Sequence, residues 1–232
     1  MKLAIMQPYY FPYLGYFQLM GAVDKFVIFD DVQFIKKGWI HRNRILLEGH
    51  TKPIHIKIDH MTQHRHIREH ARILDSVHDR YQLRLLRHAY QHAPFYADVM
   101  PMLERIMQDE EQNVAVYLET LLTEIRDYVG LQTEFLVSSS LDYDRSLKCE
   151  SLVIEMCRHL HAGHYINAIG GQSLYHKETF AGAGVPLNFI KMEPVEYRQF
   201  NNPFVPDLSM IDVLMFNSKA KVRELLNAYT LV

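Results

Sequence analysis

Short apolar runs mark both ends of the chain, and a long stretch of helical periodicity lies between them. The run LAIM at residues 3–6 stops at Gln7-Pro8 and reads as a buried strand. After Pro12, the residues Leu14, Phe17, Leu19 and Met20 line one broad helical face. A proline suits the entrance of such a helix, because its missing N–H would be unpaired there anyway. A second apolar run, Phe26 to Phe29, closes on Asp30-Asp31. The order strand, loop, helix, strand implies a parallel pair joined by a right-handed crossover.

From Trp39 to Ile58 apolar and polar residues alternate around Glu48-Gly49-His50, which predicts an antiparallel hairpin. Residues 66–129 are helical by pattern, interrupted at Pro94 and Pro101, with Gly130 as a C-cap. The α/β rhythm then resumes. TEFLVSSS reads as a strand, and SLKCESLVIEMCRHLHAG as a helix capped by Ser146 and ended by Gly163. HYINAIGG is a strand entering a Gly-Gly turn, QSLYHKETFAGAG a helix, VPLNFIKM a strand, and the tail from Leu208 helical. This alternation predicts an α/β fold with a mostly parallel, Rossmann-like doubly wound sheet, a β-hairpin and a helical insertion at about 66–130. The expected organisation is a single α/β domain over 1–232, the insertion lying between its two halves.

Composition narrows the class. The 232 residues are 48% hydrophobic and 22% charged with a formal net charge of −2, which argues against a nucleic-acid or membrane-surface partner. No stretch is long and apolar enough to span a bilayer. Cys149 and Cys157 lie two turns apart on one expected helix, too far to pair, which fits a reducing cytosol. The N-terminal apolar run breaks at Gln7-Pro8, unlike a signal peptide. A cytoplasmic protein is expected.

In sheets of this kind ligands bind beyond the carboxyl ends of the strands. Three exits supply candidates: Gln7-Pro8 with the tyrosines after it, Asp30-Asp31, and Asn167 with Gly170-Gly171. Together they would line a crevice with an amide, two carboxylates, phenols and a glycine turn; alternatively Gln7 serves loop backbone and the tyrosines pack with wet hydroxyls. One carboxylate of the Asp30-Asp31 pair would face any given site, and could hold Mg²⁺ beside a phosphate. The densest basic stretch, KKGWIHRNRI, places Lys36, Lys37, Arg42, Asn43 and Arg44 around Trp39, the only tryptophan. Lys and Arg there would grip phosphates while Trp39 stacks on a base or sugar; the alternative is a solvated hairpin with Trp39 in the core. The fourteen histidines include an i, i+4 pair, His88 and His92, but Ala89 stands where a zinc protease motif needs glutamate, so no metal site is expected. No nucleophile elbow, Walker loop or dinucleotide fingerprint occurs.

The strings MQPYYFPYLGYFQL, DKFVIFDDVQFIKKGWIHRNRI, YINAIGGQSLYHKETF and YRQFNNPFVPDLSMIDVLMFN resemble the WbqC-like protein family, whose members are commonly encoded in clusters for surface-polysaccharide (O-antigen) biosynthesis. A second resemblance is one of layout. FPYLGYFQLMGAVDKFVIF is similar to the start of adenylyl-forming nucleotidyltransferases such as pantothenate synthetase, where a histidine-x-glycine-histidine motif opens the first helix. Here Tyr13-Leu14-Gly15-Tyr16 falls on that frame, and DDVQF resembles a later segment at Gln33-Phe34. Tyrosine can donate a hydrogen bond to phosphate but supplies no imidazolium charge. These resemblances imply a transferase or ligase that moves an acyl or aminoacyl group onto a nucleotide-linked amino sugar, with ATP or a nucleotide-sugar and Mg²⁺ as its small molecules. In that reading Tyr13, Tyr16, Asp30 and Asp31 carry the chemistry. Gln7, Pro8, Gly15, Lys36, Lys37, Trp39, Arg42, Asn43, Arg44, Asn167, Gly170 and Gly171 bind the ligand, and helix N-termini behind Gly15 and Gly171 add dipole support for an anion. The alternative is a nucleotide-binding fold without catalysis, acting as a scaffold in the same pathway.

Overall fold

The computed structural model describes all 232 residues, Met1–Val232. Its strands are β1 (Lys2–Met6), β2 (Lys25–Ile28), β3 (Arg42–Leu47), β4 (His50–His55), β5 (Glu134–Val137), β6 (His164–Ala168), β7 (Leu187–Met192) and β8 (Tyr229–Leu231). β3 and β4 form a separate antiparallel hairpin, and the other six make one sheet in the order β5-β2-β1-β6-β7-β8. All its neighbours are parallel except β8, which pairs antiparallel with the edge of β7. With the hairpin set aside, the strands run third, second, first, fourth, fifth, sixth, the doubly wound dinucleotide-binding order. The direction of winding therefore reverses between β1 and β6.

The pleat sends alternate residues to two different cores. Ala4, Phe26, Ile28, Ile166 and Ile190 face a large cluster built with α1 (Leu14–Gly21), α2 (Ser76–Tyr90), α3 (Tyr96–Gln108), α4 (Val114–Val129), α7 (Met210–Phe216) and α8 (Lys219–Leu226). Leu3, Ile5, Val27, Tyr165 and Phe189 face a smaller cluster closed by α5 (Cys149–His159) and α6 (Lys177–Gly182). Burying both faces removes the large apolar area of these strands from water, the main favourable term in such a fold. No helix is long and apolar enough to cross a membrane.

α1 is buried from Leu14 to Met20, because α8 covers the side that the sheet leaves open. Its one buried amide, Gln18, donates from Nε2 to the carbonyls of Leu225 and Ala228 at 2.8 and 3.0 Å. Those carbonyls belong to the end of α8, where the last peptide groups of a helix lack partners of their own. The hairpin turns on Glu48 (φ 51°) and Gly49 (φ 79°), two successive left-handed residues of the kind that match strand twist.

Four segments differ from the pattern-based expectation. Residues 66–75 form a 3₁₀ turn at Ile67–Glu69 and extended chain, and helix α2 starts only at Ser76. Long-range backbone pairing overrides the helical periodicity there: Ile67 and Arg68 donate to the carbonyls of Val32 and Asp30, and Ile73 to that of Lys57. Arg72 is drawn inside, donating to the carbonyls of Asp109 and Glu111 with its guanidinium 3.5 Å from the centre of the Tyr117 ring. α5 begins at Cys149 rather than after Ser146, whose N–H is taken by the Asp144 carboxylate in a local turn. The helix expected over 172–184 shrinks to Lys177–Gly182. The tail is not helical throughout, since β8 ends it as an edge strand.

The C-terminal third is tied to the rest by one buried carboxylate. Asp212 of α7 accepts from Tyr90 Oη of α2 at 2.9 Å, from Tyr197 Oη at 2.7 Å and from Gln199 Nε2 at 2.6 Å. Tyr90 Oη in turn accepts the Leu46 N–H of β3 at 3.0 Å. Burial lifts the Asp212 carboxyl to about 6, opposed by the hydrogen bonds from Tyr197, Gln199 and Tyr90. The folded protein thus holds this proton more tightly than the unfolded chain, so the contribution to stability is full below pH about 4 and lost as pH rises through about 6. Asp212→Asn removes that dependence. Chemical denaturation of the two proteins across this range should show wild type losing on the order of 2–3 kcal/mol relative to the variant, and parallel profiles would refute the assignment.

Candidate functional site

The reversal of strand order opens a crevice of about 480 Å³ at the carboxyl ends of β1 and β6. Gln7, Tyr9, Tyr13 and Tyr16 line it from the segment after β1, Phe29 from the exit of β2, and Ile35 and Trp39 from the loop before β3. The far wall is Asn167, Gly170, Gly171, Leu174 and Tyr175 after β6. Most of the lining is aromatic or aliphatic, with a few amides and phenols, as is usual for small-molecule pockets.

Local sequence explains how these residues come together. Pro8 and Pro12, both buried, bracket a segment that bends at Tyr10 and Phe11, with Phe11 in the left-handed region (φ 44°). Tyr13 is the N-cap position of α1, and its ring folds back over Gly15: a Cβ there would lie 2.5 Å from Tyr13 Cε2. Gly171 does the same for Asn167, whose Nδ2 would meet an added Cβ at 2.7 Å. Asn167 Oδ1 accepts the N–H of Ala168 at 2.8 Å, turning the amide nitrogen free of the strand end.

The phenols are hydrogen-bond donors. Burial raises Tyr16 well above the usual phenol value, with Tyr9 adding to it. Burial likewise raises Tyr9 and Tyr13, helped by Tyr13 and Asp207 respectively. Tyr16 spends its proton inside the wall, donating to the Gln7 carbonyl at 3.0 Å. It braces the exit of β1, while the half-buried Tyr9 and Tyr13 carry no hydrogen bond from their hydroxyls.

Tyr9, Tyr13 and Trp39 also border a second cavity of about 360 Å³, completed by Pro12, Asn43, Arg44 and Asp207. Arg44 lies against the Trp39 ring, 5.2 Å from its centre, and donates from Nη2 to the Asp207 carbonyl at 3.3 Å. Its Nε is buried without a partner. Asn43 acts as a strut, donating to the carbonyls of Tyr10 and Phe11 at 3.1 and 2.7 Å. Asp207 arrives from the far end of the chain. Ser209 donates to the Arg44 carbonyl and Met210 to that of Pro12, which brings the 207–210 segment alongside the α1 entrance.

Several residues expected at the site lie elsewhere. Asp30 and Asp31 leave β2 but turn to the exit of β5. Asp30 accepts from Ser139 N and Oγ at 3.0 and 2.8 Å, and Asp31 from Tyr143 Oη at 2.9 Å and Arg145 Nε at 3.2 Å. The Ser138 hydroxyl sits between the two carboxylates, touching both. With every carboxylate oxygen already accepting, the pair does not suit Mg²⁺, which needs free carboxylate ligands. Arg42 shares no anion grip with Arg44; its guanidinium donates to the carbonyls of Gly38 and Lys37. Lys36 and Lys37 are exposed and line neither cavity. Gly171 ends the 3₁₀ turn Ile169–Gly171, and a further turn at 172–174 separates it from α6 at Lys177, so no helix N-terminus directly follows Gly171. Asp207 was missed by sequence reasoning, although Pro206-Asp207 just before the Ser209 cap of α7 is a turn signature.

Strand order and crevice together define an α/β protein of Rossmann-like topology with an aromatic-walled crevice at its switch point. The chain belongs to the WbqC-like protein family, whose model matches residues 7–224 and so takes in the crevice from Gln7 to Asp207. It is also similar to the uncharacterized protein Rv1507c of Mycobacterium tuberculosis (strain ATCC 25618 / H37Rv), 28% identical over 236 residues covering 97% of each chain. No solved structure matches.

The packing of Tyr13 on Gly15 is open to a direct test. Gly15→Ala should gain up to about 1 kcal/mol of helix propensity while displacing the phenol from between the two cavities. The expected result is an unchanged or raised melting temperature together with an altered near-ultraviolet tyrosine dichroism. Wild-type dichroism in a stable variant would contradict the packing.

Proposed function

We propose that this protein is a cytoplasmic enzyme of surface-polysaccharide assembly, which binds a nucleotide-linked amino sugar and joins an acyl or aminoacyl group to its amine. The observation that carries this reading is the pair of adjacent cavities that share Tyr9, Tyr13 and Trp39, one aromatic and the other bearing Arg44 against Trp39. A nucleobase suits the aromatic crevice, and a diphosphate suits the Arg44 guanidinium that borders the other cavity. Membership of the WbqC-like family supports the pathway, and the two unpaired cysteines support the compartment.

The side chains fit acyl transfer from a preactivated donor, such as a thioester, better than ATP-dependent activation. The crevice contains no Lys or Arg, and Asp30-Asp31 are occupied by serine, tyrosine and arginine. In aminolysis the amine lone pair forms the C–N bond, the thiolate leaves with the C–S pair, and the enzyme needs no nucleophile of its own. Holding donor and acceptor in register is worth several kcal/mol, on the order of 7–11 at best. Tyr9 and Tyr13, protonated and unengaged, are the donors available to the developing oxyanion.

A second reading is a nucleotide-binding scaffold of the same pathway. It is favoured by tyrosines standing at both positions where the similar synthetase motif carries histidine. The two readings separate on product formation: mass spectrometry of an amino-sugar nucleotide incubated with acyl-thioester donors shows an amide only under the first.

Binding is tested more simply. Trp39 is the only tryptophan and borders both cavities, so titration with UDP-glucose and dTDP-glucose should change its fluorescence and raise the melting temperature. Arg44→Ala should weaken binding about tenfold or more, whereas Lys36→Ala and Lys37→Ala should leave it within about twofold. Absence of any response to nucleotide-sugars would overturn the proposal.

A further inference from the structure

Among all residues lining the two adjacent cavities, Asp207 is the single carboxylate. Its backbone is in the left-handed region (φ 56°), a conformation that aspartate and asparagine adopt more readily than most residues. Its carbonyl accepts from Arg44, yet its carboxylate is in no hydrogen bond or ion pair with Arg44 or any other side chain. A cation and an anion therefore border one cavity of about 360 Å³ without neutralising each other. Asp207 is exposed at the mouth of that cavity, so its carboxylate is open to solvent and to a ligand. Here the tie from Arg44 to the Asp207 carbonyl, and the pairing of Ser209 and Met210 with Arg44 and Pro12, fix the backbone of both.

We propose that Asp207 is the acceptor-amine residue: it holds the ammonium of the nucleotide-linked amino sugar while Arg44 holds the diphosphate. This assignment rests on the reading above and adds which end of the substrate lies where. The sugar occupies the smaller cavity beside Tyr13, and the nucleobase lies in the aromatic crevice. The charge pattern is that of the ligand, an anion and a cation separated by one sugar ring. Asp207 differs from Asp30 and Asp31 in having a carboxylate that no neighbouring side chain occupies.

The proton balance is simple. The ammonium gives one proton to solvent before it can attack. The neutral amine then forms the C–N bond to the acyl carbon of the thioester, which makes its nitrogen strongly acidic. The second proton passes to Asp207, the thiolate leaves with the C–S bonding pair, and the carboxyl group then gives up its proton to the thiolate or to solvent. Tyr13, within electrostatic reach of Asp207, is placed to donate to the carbonyl oxygen in the same step.

The test compares matched ligands that differ only at the amine. UDP-glucosamine and dTDP-4-amino-4,6-dideoxyglucose are each titrated calorimetrically against the N-acetylated form, using wild type, Asp207→Asn and Asp207→Ser. Asparagine keeps the left-handed backbone and the size of the side chain, and thermal melts without ligand confirm folding. Wild type should prefer at least one free amine over its N-acetyl form by about tenfold or more, and both variants should lose that preference. Equal binding of amine and N-acetyl forms, or a preference that survives both substitutions, overturns the role of Asp207 while leaving nucleotide-sugar binding intact. Failure of every nucleotide-sugar to bind overturns both.

Discussion

The structure depends on a carboxylate shut away from solvent. Asp212 sits in α7 surrounded by Met210, Ile211, Val213, Leu214, Met215 and Phe216, all buried. A buried acid is tolerable only if its oxygens are satisfied, and three side-chain donors from two distant parts of the chain converge on it. Through Tyr90 the same network reaches the Leu46 N–H of the hairpin. Four separate pieces (the hairpin, α2, the 197–199 segment and α7) are thereby locked at one point. The preference of this point for its donors fixes where the 207–210 segment emerges, and hence where Asp207 and Arg44 meet.

The site is consequently a product of tertiary registration more than of local motif. Its floor is set by the parallel sheet, whose order places the exits of β1 and β6 side by side. Its walls are aromatic because the segment after β1 packs Tyr9 against Tyr16, with ring centres 5.6 Å apart, over the start of α1. The charged end comes from the hairpin and from the chain beyond β7, two elements without sequence proximity to each other. An aromatic half and a doubly charged half joined through Tyr9, Tyr13 and Trp39 suit a ligand that is itself divided between a flat ring and a charged group.

Much of this was legible in the sequence, for physical reasons that can be named. Strands buried on both faces appear as unbroken apolar runs, so LAIM, FVIF and HYIN announced β1, β2 and β6. The hairpin was readable from alternation around Glu48-Gly49. Gln7, Trp39, Asn43, Arg44, Asn167, Gly170 and Gly171 were picked out by strand exits and residue type, and Tyr13, Gly15 and Tyr16 by the resemblance to the synthetase motif; each borders or braces the two cavities. What could not be read was orientation and long-range pairing. Asp30 and Asp31 leave the correct strand but turn to Ser138 and Ser139, a partnership separated by more than a hundred residues. The 66–75 segment has helical periodicity that sheet-like pairing to Val32 and Lys57 overrides. Asp212 was visible only as an acid alone among apolar residues, a signal of burial that periodicity does not score.

The first helix has a consequence for synthesis as well as for shape. α1 is made about two hundred residues before its partners, yet its buried amide nitrogen donates to the carbonyls of Leu225 and Ala228, and the carbonyl at its entrance accepts from Met210. Until those residues have been made, Gln18 and the tyrosine loop face solvent or a chaperone, and no complete pocket exists. The crevice walls therefore close only once α7 and α8 have been made and pack against α1.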